Sequence, residues 1–428
     1  MKFSVFNYEK TLDNNVIIFN TLTRSIISIE RGEYYQLKEN IKKINYHTAK
    51  KKYKDLCELG FIVDDDIDEF LLYKYWLNKQ KWQNEYFIVT FLTTYNCNFK
   101  CPYCYEGFKK EKNYKNMELD KMLQFLENVI IKSRCRVIDF NFFGGEPLLE
   151  MKTIEKVCMF LCYIENNFEI RSLVNIVTNG YLIDEKMIEN FKKLNINSFQ
   201  ITIDGIERCH DERRFLHDGS GTFKKIYNNL LMLIDNGFEI VINMNFDKYN
   251  YRSIIKFLDI FPEKYRNKVY IKFNSLIRTE NNISRVHKLK PDELAIIYKT
   301  LLKSLKIYGY NKENAEFIGY GPCLANRKNS IIIEPNGNIS KCIYGIGSDK
   351  FIIGNIKDDT DMILLKLYSY DEDEIEYEER CKTCTFLPFC MGGCKREKIE
   401  NKYDINKVLC KKEEIQNGIV EGIIQLCT

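Results

Sequence analysis

Three cysteines within eight residues, Cys97-Asn98-Phe99-Lys100-Cys101-Pro102-Tyr103-Cys104, constrain this 428-residue chain more than any other stretch. They follow an apolar run and are spaced three and then two residues apart. Three thiolates on one tight loop can hold three irons of a cubane [4Fe–4S] cluster and leave the fourth iron without a protein ligand. An open iron is where a small molecule binds and receives an electron. Structural zinc is the plainer alternative, but it takes four protein ligands. The only histidines are His47, His210, His217 and His287, none of them near this stretch.

Composition narrows the class. At 45% hydrophobic and 14% aromatic the chain can bury a full core, and its length suits two or three domains. Lys+Arg 64 against Asp+Glu 60 is too balanced to argue for nucleic acid. Met1-Lys2-Phe3-Ser4-Val5 opens no secretory h-region, and no apolar run is long enough to span a membrane. Sixteen cysteines without a signal point to metal or redox use in a reducing cytosol rather than to disulfides. The expectation is a cytoplasmic protein with neither nucleic acid nor membrane as partner.

Residues 1–84 read as a small separate domain. Val16–Phe19 and Ile26–Ile29 form a hairpin through residues 20–25, helices follow near 33–43 and 48–59, and a short strand ends at Val63. An amphipathic stretch then reaches Trp76 and Trp82. From residue 85 strands alternate with helices, the mark of a parallel α/β layout. The expected strands are Tyr86–Thr93, Val137–Phe143, Val174–Thr178, Phe199–Ile203, Ile240–Asn245 and Val269–Asn274, with helices near 118–133, 153–168, 222–236 and 251–260. In barrels of this kind chemistry gathers at the C-terminal ends of strands, and the cysteine loop follows the first strand. Gly144-Gly145-Glu146-Pro147 follows the second, where paired glycines admit a close backbone approach and a carboxylate can accept from an ammonium group. Thr178-Asn179-Gly180 and Thr202-Ile203-Asp204-Gly205 end the third and fourth strands.

The CxxxCxxC spacing, with the aromatic Tyr103 before the last cysteine, resembles the signature of the radical S-adenosylmethionine (SAM) superfamily. The resemblance implies a partial (β/α)6 barrel over 85–305 and a SAM-binding [4Fe–4S] cluster on Cys97, Cys101 and Cys104. It also implies reductive cleavage of SAM to a 5′-deoxyadenosyl radical that takes a hydrogen atom from substrate. The SAM contacts it implies are Tyr103, Gly144, Gly145, Glu146, Pro147, Thr178, Asn179, Thr202, Asp204 and Asn245. Asp204-Gly205 with His210-Asp211 and Arg213-Arg214 resembles a segment common in the peptide-modifying branch, where the charges serve either structure or substrate. The N-terminal domain resembles the winged-helix leader-binding modules of peptide-modifying enzymes, which add a leader peptide as an extra strand.

Residues 306–428 carry a second pattern: Cys323-x13-Gly337-x4-Cys342, then Cys381-x2-Cys384-x5-Cys390-x3-Cys394, then Cys410. This resembles the SPASM extension and implies two auxiliary [4Fe–4S] clusters, three in all. The pattern assigns Cys381, Cys384, Cys390 and Cys410 to an outer cluster and Cys323, Cys342 and Cys394 to an inner one. The inner set then lacks a fourth ligand. Either a residue such as Cys427 completes it, or an open iron binds a substrate thiol as thiolate, or water caps it.

The resemblance therefore implies a maturase of a ribosomally made precursor peptide, supplied with electrons by a flavodoxin or ferredoxin, that installs a crosslink, with a Cys thioether first. A carbon–carbon crosslinking or epimerising maturase is the alternative. So is an anaerobic sulfatase maturase, against which Ile343 stands where that family has a catalytic Asp. A non-enzymatic iron–sulfur electron carrier would need neither the GGEP segment nor the polar strand ends.

Overall fold

The computed structural model describes residues 1–83, 85–106, 119–279, 282, 285–310, 321–370 and 375–427. They group into two compact units. The larger holds Trp82–Ile318 and Cys323–Glu372; the smaller joins Met1–Lys81 to Gly319–Pro322 and Asp373–Thr428. The division expected at 305/306 is therefore not how the chain groups. Part of the C-terminal region extends the large sheet, and the rest completes the core of the N-terminal residues.

In the smaller unit β1 (Lys2–Phe3) awaits β5 (Ile62–Val63), its antiparallel partner, while β2 (Asn7–Leu12), β3 (Asn15–Asn20) and β4 (Ile26–Glu30) form an antiparallel meander in that order. The turn after β3 is set by Asn20, whose side-chain oxygen accepts from the amides of Leu22 at 3.0 Å and Thr23 at 2.9 Å. Helices α1 (Arg31–Ile41), α2 (Tyr46–Lys52), α3 (Lys54–Glu58) and α4 (Glu69–Lys81) follow. The single helix expected over 48–59 is thus two, separated at Tyr53. Strand periodicity gives β3 two faces. Val16 and Ile18 pack with Tyr34, Leu37 and Ile41 of α1, and Ile17 and Phe19 pack with Phe386, Ile415, Val420 and Ile424.

The larger unit is built on β6 (Tyr86–Leu92), β7 (Val137–Phe143), β8 (Arg171–Thr178), β9 (Ser198–Thr202), β10 (Glu239–Phe246) and β11 (Val269–Ser275), all parallel and hydrogen-bonded in chain order. These are the six strands read from the sequence, within three residues at each end. Between them run α5 (Leu119–Ser133), α6 (Met151–Phe168), α7 (Glu185–Lys193), α8 (Glu207–Asp211), α9 (Phe223–Asp235), α10 (Tyr251–Ile260) and α11 (Glu263–Arg266), with α12 (Pro291–Ile307) after β11. The spacing of Met122, Phe125, Leu126, Val129 and Ile130 gives α5 one buried stripe. α7 starts where the Asp184 carboxylate accepts the Met187 amide at 2.8 Å. Beyond β6 the sheet continues through β12 (Ser330–Ile333), parallel to it, and antiparallel β13 (Asn338–Ser340) and β14 (Ile352–Asn355), with α13 (Thr360–Tyr370) following. Ser330–Ile333 is fully buried and pairs with Ile88–Phe91 of β6, which ties Cys323–Glu372 to this unit.

The six parallel strands are not apolar on both faces, as a fully covered parallel sheet would be. Ile138, Phe140 and Phe142 of β7 are fully buried, while Asp139 and Asn141 alternate with them. Asp139 accepts from Asn141 at 3.0 Å and from Asn175 at 2.8 Å, and Ser198 donates to Asn175 at 2.7 Å. Asn243 continues the row towards Thr202, Asn245 and Asn274. One face of the sheet is therefore a polar ladder from β7 to β11, suited to a hydrophilic ligand.

Candidate functional site

The cysteine loop leaves the C-terminal end of β6, and the next strand shapes it. Gly144, at φ +139°, would place a Cβ 2.4 Å from the Thr94 carbonyl oxygen, and Gly145 would place one 2.3 Å from that of Asn96. Both are below any tolerable contact, so only glycine admits the chain here. The Gly145 amide donates to Thr94 O at 3.0 Å and the Glu146 amide to Asn96 O at 2.8 Å. The glycine pair thus holds the backbone that delivers Cys97.

Glu146 is fully buried. Its carboxylate accepts from the Leu148 amide at 3.0 Å, the Thr178 hydroxyl at 2.6 Å and the Asn179 amide at 2.8 Å. Burial pushes its pKa up, and these donors pull it back. This carboxylate clamps the end of β7 to the end of β8. Pro147 is buried in the 3₁₀ turn that Glu146 caps. Asn179 in turn donates to Asn98 of the cysteine loop at 2.7 Å.

A second wall comes from the segment after β9. The amide of Lys100 donates to the carbonyl of Phe215 at 2.9 Å, Phe99 bridges to Leu216, and His217 lies 2.9 Å from the Cys97 carbonyl oxygen. Tyr103 donates its hydroxyl to Asp204 and accepts from Arg214 at 2.9 Å. The Arg213 guanidinium lies 5.1 Å from the Tyr103 ring centroid and pairs with Asp247 at 2.9 Å; that of Arg214 lies 5.6 Å from Phe99. Asp204, fully buried, also accepts the Asn245 amide at 3.1 Å. Behind this cluster, His210 is fully buried and accepts the Asp204 amide at Nδ1, 3.3 Å away. The proton therefore sits on Nε2, 3.2 Å from the Thr222 hydroxyl, which donates to the Arg214 carbonyl at 2.6 Å. Burial first, then Arg214 and Arg213, hold His210 well below its ordinary pKa.

Of the residues singled out in the sequence, the loop cysteines, Tyr103, the GGEP segment, Thr178, Asn179, Asp204 and the Arg213-Arg214 pair come together around Cys97–Cys104. Thr202 and Asn245 lie further along the polar ladder, both bonded to or through Asn243. The sequence reading missed Asn98, Asn282, which donates to the Tyr103 carbonyl at 2.9 Å, and the Asn ladder, whose signal was a pair of polar residues two apart in each strand, Asp139 and Asn141 in β7 and Asn243 and Asn245 in β10. It also missed Tyr105, whose ring meets that of Tyr344 edge-on at 4.8 Å. That contact brings the residues after Cys342 beside the cysteine loop.

The residues fit an iron–sulfur cluster with an anionic ligand. Burial pushes the Cys97 and Cys101 thiols up, while the charge of Arg214 opposes it at Cys101; bound metal deprotonates such thiols outright. The ε-nitrogen of Arg214, two nitrogens of Arg213 and the amide nitrogen of Asn98 are buried without a hydrogen-bond acceptor, so the pocket wall has donors to spare for a ligand that accepts. Among the described residues no three His, Cys, Asp or Glu side chains close on one ion position. Each thiolate of a cubane holds a different iron, so a cluster does not require it.

Residues 91–261 match the radical SAM superfamily. The chain carries a radical SAM domain. It is 25% identical over 444 aligned residues to the radical SAM cyclopropyl synthase TigE of Paramaledivibacter caminithermalis, covering 93% of this chain and 89% of that one. It is 26% identical over 335 residues to the cysteine-type anaerobic sulfatase-maturating enzyme of Clostridium novyi, covering 72% and 87%. Among solved structures, Streptococcus suis SuiB bound to its precursor peptide SuiA superposes with a TM-score of 0.58 at 16% identity, over 96% of this chain and 99% of that one. The anSMEcpe structure with bound AdoMet and a peptide gives 0.61 at 20% identity, over 79% and 97%. The fold of this chain is shared with both of these structures. No described helix of this chain is long and apolar enough to cross a membrane.

Proposed function

We propose that this radical SAM enzyme matures a ribosomally made precursor peptide: the smaller unit docks the leader, and the cysteine-loop site takes a hydrogen atom from the segment to be modified. Bound SAM and cluster supply the electron and the hydrogen-abstracting radical. The chain's part is to hold them. Cys97, Cys101 and Cys104 ligate iron, the Gly144-Gly145 backbone with Thr202 and Asn245 lines the SAM pocket, and Arg213 and Arg214 offer cations to its anionic parts. Cys381, Cys384, Cys390 and Cys410 hold an outer auxiliary cluster. A small flavodoxin or ferredoxin supplies electrons.

The observation that carries the reading is the free edge of β4. The Asn20–Ser25 and Arg31–Asn14 hydrogen bonds fix which residues of β4 face β3, so by antiparallel alternation Ile26, Ser28 and Glu30 turn their N–H and C=O outward. No described strand pairs with them. Beside this edge lies a groove of about 550 Å³ lined by Ile27, Ile29, Leu37, Lys52, Tyr53 and Leu56. An extended peptide can add there as a fourth strand, its alternate side chains entering the groove. Residues 31–60 carry eight Lys and Arg against four Asp and Glu, so the leader it suits is acidic. The TigE match leaves about 30 residues of this chain uncovered and must include most of the first 81, whereas the sulfatase-maturase match spans 72%. That difference favours a precursor peptide over a folded sulfatase.

The product we assign first is a Cys thioether, with a carbon–carbon bond second, as the likeness to a cyclopropyl synthase favours. A peptide two mass units lighter with one fewer free thiol marks the first; the same loss with every thiol intact marks the second. For the docking step, Ser28→Pro removes one outward N–H without touching the β3 ladder. It weakens peptide binding on the order of ten-fold; an unchanged affinity contradicts docking at this edge.

A further inference from the structure

The smaller unit joins the two ends of the chain, and its cysteines lie in the seam. Cys381 is buried with Phe6, Leu22, Tyr73 and Leu77. Cys384 packs against this cluster and also against the one formed by Ile17, Phe19, Phe386 and Ile415, where Cys390 packs as well. Hydrogen bonds converge on the same loop. Thr385 donates its hydroxyl to the Val5 carbonyl at 2.8 Å, and Thr21 donates its own to the Thr385 carbonyl. The Arg24 guanidinium lies 3.4 Å from the centroid of Phe389, and Tyr8 packs on Phe386 at 5.6 Å. Tyr73 and Tyr377 face each other hydroxyl to hydroxyl at 3.0 Å.

The cysteine segment itself has little regular structure. Its helices are Glu379–Lys382, Leu387–Cys390 and Lys395–Glu400, each of four to six residues. Met391, Gly392 and Gly393 all have positive φ, and a Cβ on Gly393 would meet the Leu409 carbonyl at 2.3 Å. Short helices and tight turns do not hold such a segment by themselves; segments of this kind are fixed by metal or disulfide. The four thiols are also gathered. Cys390 feels Cys410 and Cys384, Cys381 feels Cys390 and Cys384, and the amides of Gly392 and Lys411 donate to the Cys390 sulfur.

We propose that the Cys381, Cys384, Cys390 and Cys410 set, when filled with its iron–sulfur group, is a structural clamp on the β2–β4 sheet. Filling it fixes the loop 384–390 against Ile17, Phe19 and Thr21, and so holds one of the sheet's two faces. Where the sheet docks a peptide, as proposed above, loading of this set governs affinity without any electron passing through it. The coupling is reciprocal, because whatever stabilises the sheet through the clamp must also hold the iron.

Hydrogen exchange on the full-length, reconstituted protein tests this without peptide or turnover. In Cys384→Ala, exchange quickens across Asn7–Glu30 while β7–β10 keep their protection; unchanged exchange in Asn7–Glu30, or equal loss in both regions, overturns the clamp. The reverse reading uses Phe19→Ala, which leaves every cysteine in place. About four irons per chain then pass to a chelator faster by on the order of ten-fold, and iron release at the wild-type rate overturns the proposal. Affinity for an acidic leader-like peptide is read on the same samples. If exchange responds and affinity does not, the clamp stands and docking on β4 fails.

Discussion

The two cysteine regions of this protein are built in opposite ways. Cys97–Cys104 is delivered by a parallel sheet whose strand ends fix every approach to it: glycine backbone on one side, Glu146 behind, and a buried Arg–Asp–Tyr network on the other. The segment from Cys381 to Cys410 has no sheet of its own and takes its shape from the N-terminal strands it packs against. The first loop is preorganised by its scaffold. The second is assembled from the two ends of the chain and depends on what it binds. A site for radical chemistry needs the former, since its reacting atoms must be placed within fractions of an ångström. A clamp can tolerate the latter.

The contrast can be broken most severely at the loop itself. Cys101→Ala removes one of three ligands, and 5′-deoxyadenosine formation is expected to fall below detection. Gly145→Ala comes next. Its Cβ meets backbone at 2.3 Å rather than a side chain that could turn away, so Asn96 and the entry to Cys97 must shift. SAM binding, measured by calorimetry on the reconstituted protein, is expected to weaken at least ten-fold, and wild-type affinity would show that the glycine is not needed for close approach.

Smaller effects sharpen the account of the network. Asp204→Asn leaves Arg213 with one carboxylate instead of two and removes the anionic acceptor of Tyr103. Breaking a buried pair of this kind costs about 3–5 kcal/mol, read as a lower denaturant midpoint at unchanged slope. The pH response of His210 is the mildest. It is neutral in the folded protein and held well below its ordinary value of 6.5. Below pH 6.5 the unfolded chain therefore binds a proton that the native state does not. Stability is constant above this point and falls as the pH drops through it, by up to about 1.4 kcal/mol per pH unit from this group. His210→Gln should flatten that part of the stability–pH curve, even if it lowers the whole curve.

What the sequence made legible follows the same divide. Runs such as Val137–Phe143 and Ile240–Asn245 announce buried strands because β-branched and aromatic residues sit on one face, and the CxxxCxxC spacing marks the loop because ligand geometry demands it. The partners of those residues were less visible. Gly144 and Gly145 read as a cradle for a ligand; what the sequence did not show is their close approach to the Thr94 and Asn96 backbone. Glu146 read as a ligand group; what the sequence did not show is that it also accepts from Thr178, Asn179 and Leu148. Nothing periodic links Phe19 to Phe386, so the pairing of the chain's two ends, and with it the place of the outer cysteines, could come only from the structure.

The measurement that bears most directly on the whole account is anaerobic turnover of the reconstituted protein with SAM, dithionite and an acidic-leader peptide containing cysteine. The account predicts 5′-deoxyadenosine in step with a peptide two mass units lighter, both lost in Cys97→Ala. SAM cleavage with the peptide untouched, at concentrations that saturate binding, would contradict the assignment of a peptide substrate; no cleavage at all would contradict the radical chemistry itself.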